Sequence, residues 1–499
     1  MDNSNFLGLL TLAVFLPTFG ALLLAIPIIS RTFVKRIALS VVTVELLITV
    51  FIFVRYYVNR DAGLQMVDRL PWIPIDSFPV EYFLGIDGLS APMVLLTGIL
   101  GFVAIFASWN VTHRVKEHFA WLLILQTGVM GVFTSLDFFL FFLFWEIELI
   151  PMFFLIAIWG TGRKEYSAMK FLIFTLAGSA AMVIGILLLM ASTNSLDMTQ
   201  LPEKIQHTKL LLPATAICSL LFLGFAVKLP VWPFHTWLPD AHTDAPTAAS
   251  VMLAGVLLKM GGYGIFRVCV SMFPDVAVSL GWAVASLGVI NIIYGAIITF
   301  NQTDLKRLVA FSSISHMGFV LVGISSVGGF ASTIGLTGAA LQMFTHGTIT
   351  GLLFLTVGMI YEKTHTRYIP DLGGLATRMP IAALTLVIAG FASLGLPGTS
   401  GFVAELAVFL GAFSNFPWHT GIAAFGVVLS AGYILWMIQR TMFGPIKEQF
   451  VSLTDVNKLE LIPIALLVIT IIGVGVFPFL INDVLVTAIS PIVESLHGL

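Results

Sequence analysis

The sequence predicts an all-α, polytopic membrane protein of about fourteen transmembrane helices, with residues 1–499 forming a single membrane domain. Three observations carry that prediction. Charge is too sparse for a water-facing surface, apolar stretches of spanning length follow one another along the chain, and basic residues are sorted between alternate connections. Of 499 residues, 24 are Lys or Arg and 26 are Asp or Glu, so 10% are charged and 58% apolar. Soluble domains run near about 25% charged and about 45–50% apolar. The chain is expected in a lipid bilayer.

A helix needs about 20 apolar residues to cross roughly 30 Å of hydrocarbon. By that measure the spans lie near 6–29, 33–55, 88–109, 119–135, 137–159, 166–191, 211–229, 245–267, 276–300, 304–324, 330–361, 380–414, 421–443 and 460–480. The first, Phe6–Ile29, has no basic residue before it and is longer than a signal-peptide core, so it reads as a mature span. Connections are short except between spans two and three, where Pro71, Pro74 and Pro79 fall. Sixteen Lys and Arg sit in connections after odd-numbered spans; six, among them Arg60, Arg69 and Arg267, follow even-numbered ones. Positive residues favour the cytoplasmic side, so both termini should face away from it. The two basic residues left over, Lys228 and Lys259, lie inside spans.

Other classes are excluded along the way. A net charge of −2 without a basic run argues against nucleic acid. Cys218 and Cys269 stand singly in apolar segments and cannot hold an iron–sulfur cluster or a disulfide framework. No GxGxxG or GxxxxGK[ST] is present, so the chain has no nucleotide-binding signature.

Two spans are interrupted. The seventh runs Gly224-Phe-Ala-Val-Lys-Leu-Pro-Val-Trp-Pro-Phe-His235, and the twelfth carries Leu394-Gly-Leu-Pro-Gly-Thr-Ser-Gly401. Proline removes a backbone donor and clashes with the preceding turn. Non-helical backbone at membrane depth survives only inside protein or beside a wet cavity, and matched interruptions in two halves point to a transport site. The breaks are five spans apart, an odd offset that reverses direction. Residues 119–270 and 276–443 are therefore expected to be two inverted five-helix repeats, each with a broken helix. Against this stands the frequency of Pro and Gly in membrane helices generally.

Ionisable groups within spans are functional candidates by default. They are Glu45, Glu146, Glu148, Lys228, Lys259, His316, His346 and Glu405. Helix rise places most of them roughly 14–24 Å along their helices, near mid-membrane, a row suited to moving charge sideways. Glu146 and Glu148, two residues apart, face different sides, and Glu146 is expected to point inward as the partner of Lys228. Glu148 would bond a neighbouring helix, and Glu45 would make a lone interhelical hydrogen bond. The plainer alternatives are a static Glu146–Lys228 pair, a structural Lys259, and His316 and His346 packed on hydroxyls. Metal binding by these His and Glu is disfavoured, since none of them stands in HxxxH or ExxH spacing. The chemistry left is proton handling. A Glu–Lys pair 4 Å apart is worth roughly 4 kcal/mol at an effective dielectric near 20, enough to switch a buried proton on or off near neutral pH.

The segment Lys228-Leu-Pro-Val-Trp-Pro-Phe-His-Thr-Trp-Leu-Pro-Asp-Ala-His-Thr-Asp-Ala-Pro-Thr247, continuing to Leu257-Leu-Lys-Met-Gly-Gly-Tyr-Gly264, resembles the antiporter-like membrane subunits of complex I and their relatives in cation/proton antiporters. Phe144-Trp-Glu-Ile-Glu-Leu-Ile-Pro151, Phe311-Ser-Ser-Ile-Ser-His-Met-Gly318, His346-Gly347 and Gly401-Phe-Val-Ala-Glu405 extend the resemblance over nearly the whole chain. Within that family it is most similar to the M-type subunits of NADH–quinone oxidoreductase. Glu405 stands where related subunits have lysine, and the chain ends soon after span fourteen, without the long lateral helix of the L-type subunit.

The resemblance implies that Glu146, Lys228, Lys259 and Glu405 form a proton-pumping set, with His316 and His346 connecting them. It implies no cofactor in this chain, with FMN, iron–sulfur clusters and quinone in partner subunits. The implied partners are adjacent antiporter-like subunits and the lateral helix of the L-type subunit, in a bacterial inner or plasma membrane. The alternatives are a subunit of a multi-chain Na⁺/H⁺ antiporter, the same subunit in a ferredoxin- or hydrogenase-linked complex, or an assembly scaffold.

Overall fold

The computed structural model describes residues 8–27, 30–59, 63–75, 78–329 and 332–497. In chain order the elements are α1 (Leu9–Leu24), α2 (Arg31–Asn59), the strands β1 (Gln65–Ile75) and β2 (Phe78–Ile86), α3 (Ser90–Ala107), α4 (Val115–Thr134), α5 (Phe138–Ile147), α6 (Leu149–Trp159), α7 (Lys164–Thr193), α8 (Leu201–His207), α9 (Ala214–Lys228), α10 (Trp237–Asp244), α11 (Thr247–Met252), α12 (Leu258–Gly264), α13 (Pro274–Ser279), α14 (Gly281–Phe300), α15 (Leu305–Ile324), α16 (Ser332–Thr364), α17 (Pro380–Ser393), α18 (Ser400–Phe413), α19 (Pro417–Met442), α20 (Lys458–Val476) and α21 (Phe479–His497). Each expected span coincides with helical structure. Among the described residues ten helices are long and apolar enough to cross a membrane by length and composition, and α1, α9, α17 and α18 are shorter apolar helices.

Both interruptions fall where proline and glycine place them. Helix α9 ends at Lys228 and helix resumes only at Trp237; α17 ends at Ser393 and α18 begins at Ser400. Asn291 of α14 satisfies the first break, its Oδ1 accepting from Trp232 N (2.7 Å) and its Nδ2 donating to Pro230 O (3.2 Å). Exposed backbone at such a break needs partners of this kind.

Two elements lie outside the expected run of fourteen helical spans. The proline-bearing connection between spans two and three is an antiparallel hairpin, with Arg69 opposite Phe83, Leu70 opposite Tyr82, and irregularities between Gln65 and Asp68 and between Pro71 and Ile73. In a two-stranded ribbon every strand is an edge, so the prolines are tolerated. Beyond span fourteen, α21 forms an additional amphipathic helix that buries Ile481, Val484, Leu485 and Ile489. Arg60, one of the residues used to orient the chain, lies outside the described residues.

Connections of like parity touch one another. Lys116 Nζ donates to Ile26 O (2.8 Å), Asp240 bridges Lys170 (2.7 Å) and Arg307 (3.0 Å), and Lys447 Nζ donates to Pro370 O (2.7 Å), all in or bordering the connections after odd-numbered spans. After even-numbered spans, Arg69 reaches Asp197 (2.8 Å) and Arg267 reaches Asp87 (2.6 Å). That grouping is what alternate crossings of a bilayer produce. The core is formed by the span Thr247–Val270 and by α15 and α16, buried along all or nearly all of their length, while α2 and α20 turn most residues outward. The buried helices are the ones that carry Lys259, His316 and His346.

Candidate functional site

Lys259 lies in a span that is not uniformly α-helical. The π-helical turns Leu253–Leu257 and Ile265–Val270 flank α12. Wide turns of this kind redirect side chains and free carbonyls, and they recur at functional sites. Lys259 Nζ contacts the carbonyl of Ala254, five residues back, and lies 2.7 Å from His346 Nδ1. Its side chain is fully buried, and no carboxylate reaches it among the described residues. Gly261 lets α9 come close: a methyl group there would lie 2.6 Å from both Phe225 O and Leu229 N.

From His346 the polar groups continue across the bundle. The His346 and His316 rings are 5.5 Å apart between centroids. His316 Nδ1 lies 3.4 Å from Glu405 Oε1, and its Nε2 lies 3.0 Å from Ser393 Oγ. Among the described residues His346 Nε2 has no hydrogen-bond partner. These groups, with Gln342 and Gly401, line a cavity of about 10 Å³ (the space open to the centre of a water molecule), room for a single water. The second break makes the arrangement possible. Gly395 has φ +79°, and a methyl group on it would stand 2.8 Å from Glu405 Oε2.

At the first break, Lys228 is the last residue of α9, where a cation suits the helix C-terminus. It is 1% exposed and paired with Glu148, which is wholly buried. The Trp145 and Phe171 rings lie 5.4 and 5.7 Å from its Nζ. The expected Glu146–Lys228 pair is therefore corrected: Glu148 is the direct partner. Glu146 is half-buried, with Oε1 unpartnered, yet near enough to attract Lys228 through space. Pro151 supplies no N–H to the carbonyl of Ile147, so the span divides into α5 and α6 at Glu148. Gly128 of α4 accepts the Glu148 backbone, since a methyl group there would come within 2.9 Å of the Glu148 Cβ.

Lys259, His346, His316 and Glu405 are thus brought into one contiguous set. Lys228 with Glu148 forms a second group, and among the described residues no hydrogen bond joins the two. Glu45 stands apart on α2. It faces Gln126, but neither carboxylate oxygen has a hydrogen bond of good geometry, so the expected interhelical bond is not formed. Sequence reasoning passed over Ser393, Gln342 and His242. The last is fully buried, stacked on Phe354 (4.5 Å between centroids), with both ring nitrogens unpartnered. Its place in Pro239-Asp-Ala-His242, beside the first break, was the available signal. At the end of the molecule rich in Lys and Arg, burial raises the Asp240 carboxyl, but Lys170 and Arg307 outweigh it and hold the group below its ordinary value. Among the described residues no cluster of His, Cys, Asp and Glu has the makeup of a metal site.

A family model described as NADH:quinone oxidoreductase/Mrp antiporter, TM, matches residues 135–431, a stretch that contains Glu146, Glu148, Lys228, Lys259, His316, His346 and Glu405. The chain belongs to that family. Among its members, NAD(P)H-quinone oxidoreductase chain 4 1 of Synechococcus sp. (strain JA-2-3B'a(2-13)) is 41% identical over 491 residues, 96% of this chain and 91% of the relative. NADH-quinone oxidoreductase subunit M of Rhodobacter capsulatus is 39% identical over 508 residues, covering 98% and 97%. A chain in the structure of respiratory complex I from Thermus thermophilus with bound NADH superposes with a TM-score of 0.86 at 27% identity, over 97% of this chain and 99% of that one. The family, the similar fold and the apolar helices make this an integral membrane protein, an antiporter-like subunit of the complex I type.

Proposed function

We propose that this chain is the M-type, proton-translocating membrane subunit of a respiratory NADH–quinone oxidoreductase. It moves protons through a buried Glu/Lys/His relay in response to quinone reduction elsewhere in the complex. The observation that carries the reading is the neighbouring set Lys259, His346, His316 and Glu405. Lys259 and His346, 2.7 Å apart, can exchange a proton directly. His346 and His316 line a cavity that admits one water, and His316 reaches Glu405 across 3.4 Å. The Glu148–Lys228 pair is the other element: making or breaking it changes the electrostatic energy of a proton on Lys259. Glu146 acts on the same lysine from farther away.

In this reading the chain holds no redox centre. FMN, iron–sulfur clusters and quinone belong to partner subunits, and the chain's neighbours are antiporter-like subunits and the lateral helix of the L-type subunit. Residues 119–270 and 276–443 are the two inverted repeats, and both termini face the non-cytoplasmic side. The family also takes in Mrp antiporters, so a Na⁺/H⁺ antiporter subunit is the second reading. Neighbouring genes for quinone-site and cluster-binding subunits accompany only the first.

The test is Lys259→Ala in the assembled complex, reconstituted in proteoliposomes. Proton pumping per electron should fall, with slowed quinone reduction. Normal electron transfer with full pumping would overturn the relay.

A further inference from the structure

Lys259, Tyr263 and Arg267 follow one another at intervals of four residues, one above the next on a helical face, and span roughly 12 Å of axis. They lead from the relay toward the side of the molecule that bears the even-numbered connections. Tyr263 is fully buried. Its hydroxyl donates to Phe133 O (3.2 Å) and accepts from Arg267 Nε (3.2 Å) and from a second guanidinium nitrogen (3.0 Å). A tyrosine hydroxyl has one proton to donate and two lone pairs, so all its capacity is used. It cannot receive a proton from the direction of Lys259 and pass it on.

Arg267 is itself held. Its guanidinium lies 2.6 Å from Asp87 Oδ2, while Asp87 Oδ1 accepts from Leu89 N (3.1 Å) and Ser90 N (2.9 Å). The turn is clamped from outside by α21: a methyl group on Gly88 would lie 2.2 Å from Val484 O. A guanidinium stays protonated in proteins, so a fixed one repels an arriving proton. The Arg267 side chain is 15% exposed, whereas Tyr263 beneath it is wholly buried.

We propose that Tyr263, Arg267 and Asp87 form a gate that closes Lys259 off from this face, and that withdrawal of Arg267 from the Tyr263 hydroxyl opens it. The inference rests on the reading of Lys259 as a proton carrier. The Asp87 carboxylate is what keeps the gate shut, because it fixes the guanidinium over Tyr263. Without that charge Arg267 turns outward, both lone pairs of Tyr263 are freed, and a hydrogen-bonded path toward Lys259 becomes available.

The experiment uses the assembled complex in proteoliposomes, with passive proton leak measured after an imposed pH step and pumping measured during turnover. Asp87→Asn should raise the leak several-fold, Asp87→Glu should stay tight, and the double variant Asp87→Asn with Lys259→Ala should return the leak to the wild-type level. Tyr263→Phe, which removes the path while leaving the ring, should slow pumping without any leak. A wild-type leak in assembled Asp87→Asn, or a leak that persists in the double variant, would overturn the gate. Full pumping by Lys259→Ala alone is a separate outcome; it overturns the relay and the gate with it.

Discussion

Replacing Glu148 by Gln removes the negative half of a buried pair and leaves its shape. Lys228 is 1% exposed and Glu148 0%, so no water takes over the lost charge. Breaking a buried pair by removing one partner costs about 3–5 kcal/mol. Cation–π attraction to Trp145 and Phe171 remains and Glu146 stays nearby, which places the net change at the lower end. At 1.36 kcal/mol per factor of ten, about 3 kcal/mol is roughly a hundredfold change in the equilibrium that keeps Lys228 charged. The assay is quinone reduction and proton uptake in proteoliposomes, alongside Glu146→Gln in the same preparation. Glu148→Gln should lose most coupled activity, and Glu146→Gln should lose less. If Glu148→Gln assembles and pumps like wild type, the pairing has no part in transport and the assignment of faces on this helix fails.

Three further outcomes follow from individual contacts. Gly395→Ala imposes a left-handed conformation on a residue with a side chain, at about 1–2 kcal/mol, and drives a methyl against Glu405; pumping should fall while the complex, checked by native gel, still assembles. Ser393→Ala removes the hydroxyl 3.0 Å from His316 Nε2 and should lower turnover several-fold with unchanged quinone affinity, read from separate kcat and KM values. Asp240, held below its ordinary carboxylate value by Lys170 and Arg307 against the effect of burial, stabilises the protein above about pH 4 and ceases to do so as pH falls through its depressed value. Asp240→Asn should cost about 1–3 kcal/mol at neutral pH and flatten the acid limb of a thermal-melting profile.

The two breaks were legible because proline and glycine act locally. Pro230, Pro233 and the Gly395–Gly398 segment interrupt helices wherever they are placed, and the structure interrupts them there. Lys228, Lys259, His316, His346 and Glu405 were equally legible, since an ionisable residue inside an apolar run has no loop to escape to. The hairpin was not legible, because Pro71, Pro74 and Pro79 argue locally against a strand. Its strands are held by partners far away in sequence, such as Asp137 Oδ2 accepting from Glu81 N (3.1 Å).

Which side chains meet is a different kind of information. The rotation of a helix about its axis decides between Glu146 and Glu148. That rotation depends on the missing donor at Pro151 and on the room made by Gly128 in another helix. In the same way Ser393 and Gln342 become part of the site only because α15, α16 and the second break converge on one small cavity. Membrane residence, helical class, the places where helices break and the identity of the buried charges are properties of residues and their near neighbours, so the chain carries them unaided. Pairing, facing direction and the hold of Asp87 on Arg267 come from side chains about 80 to 180 residues apart reaching the same few ångströms, and only the packed bundle decides them.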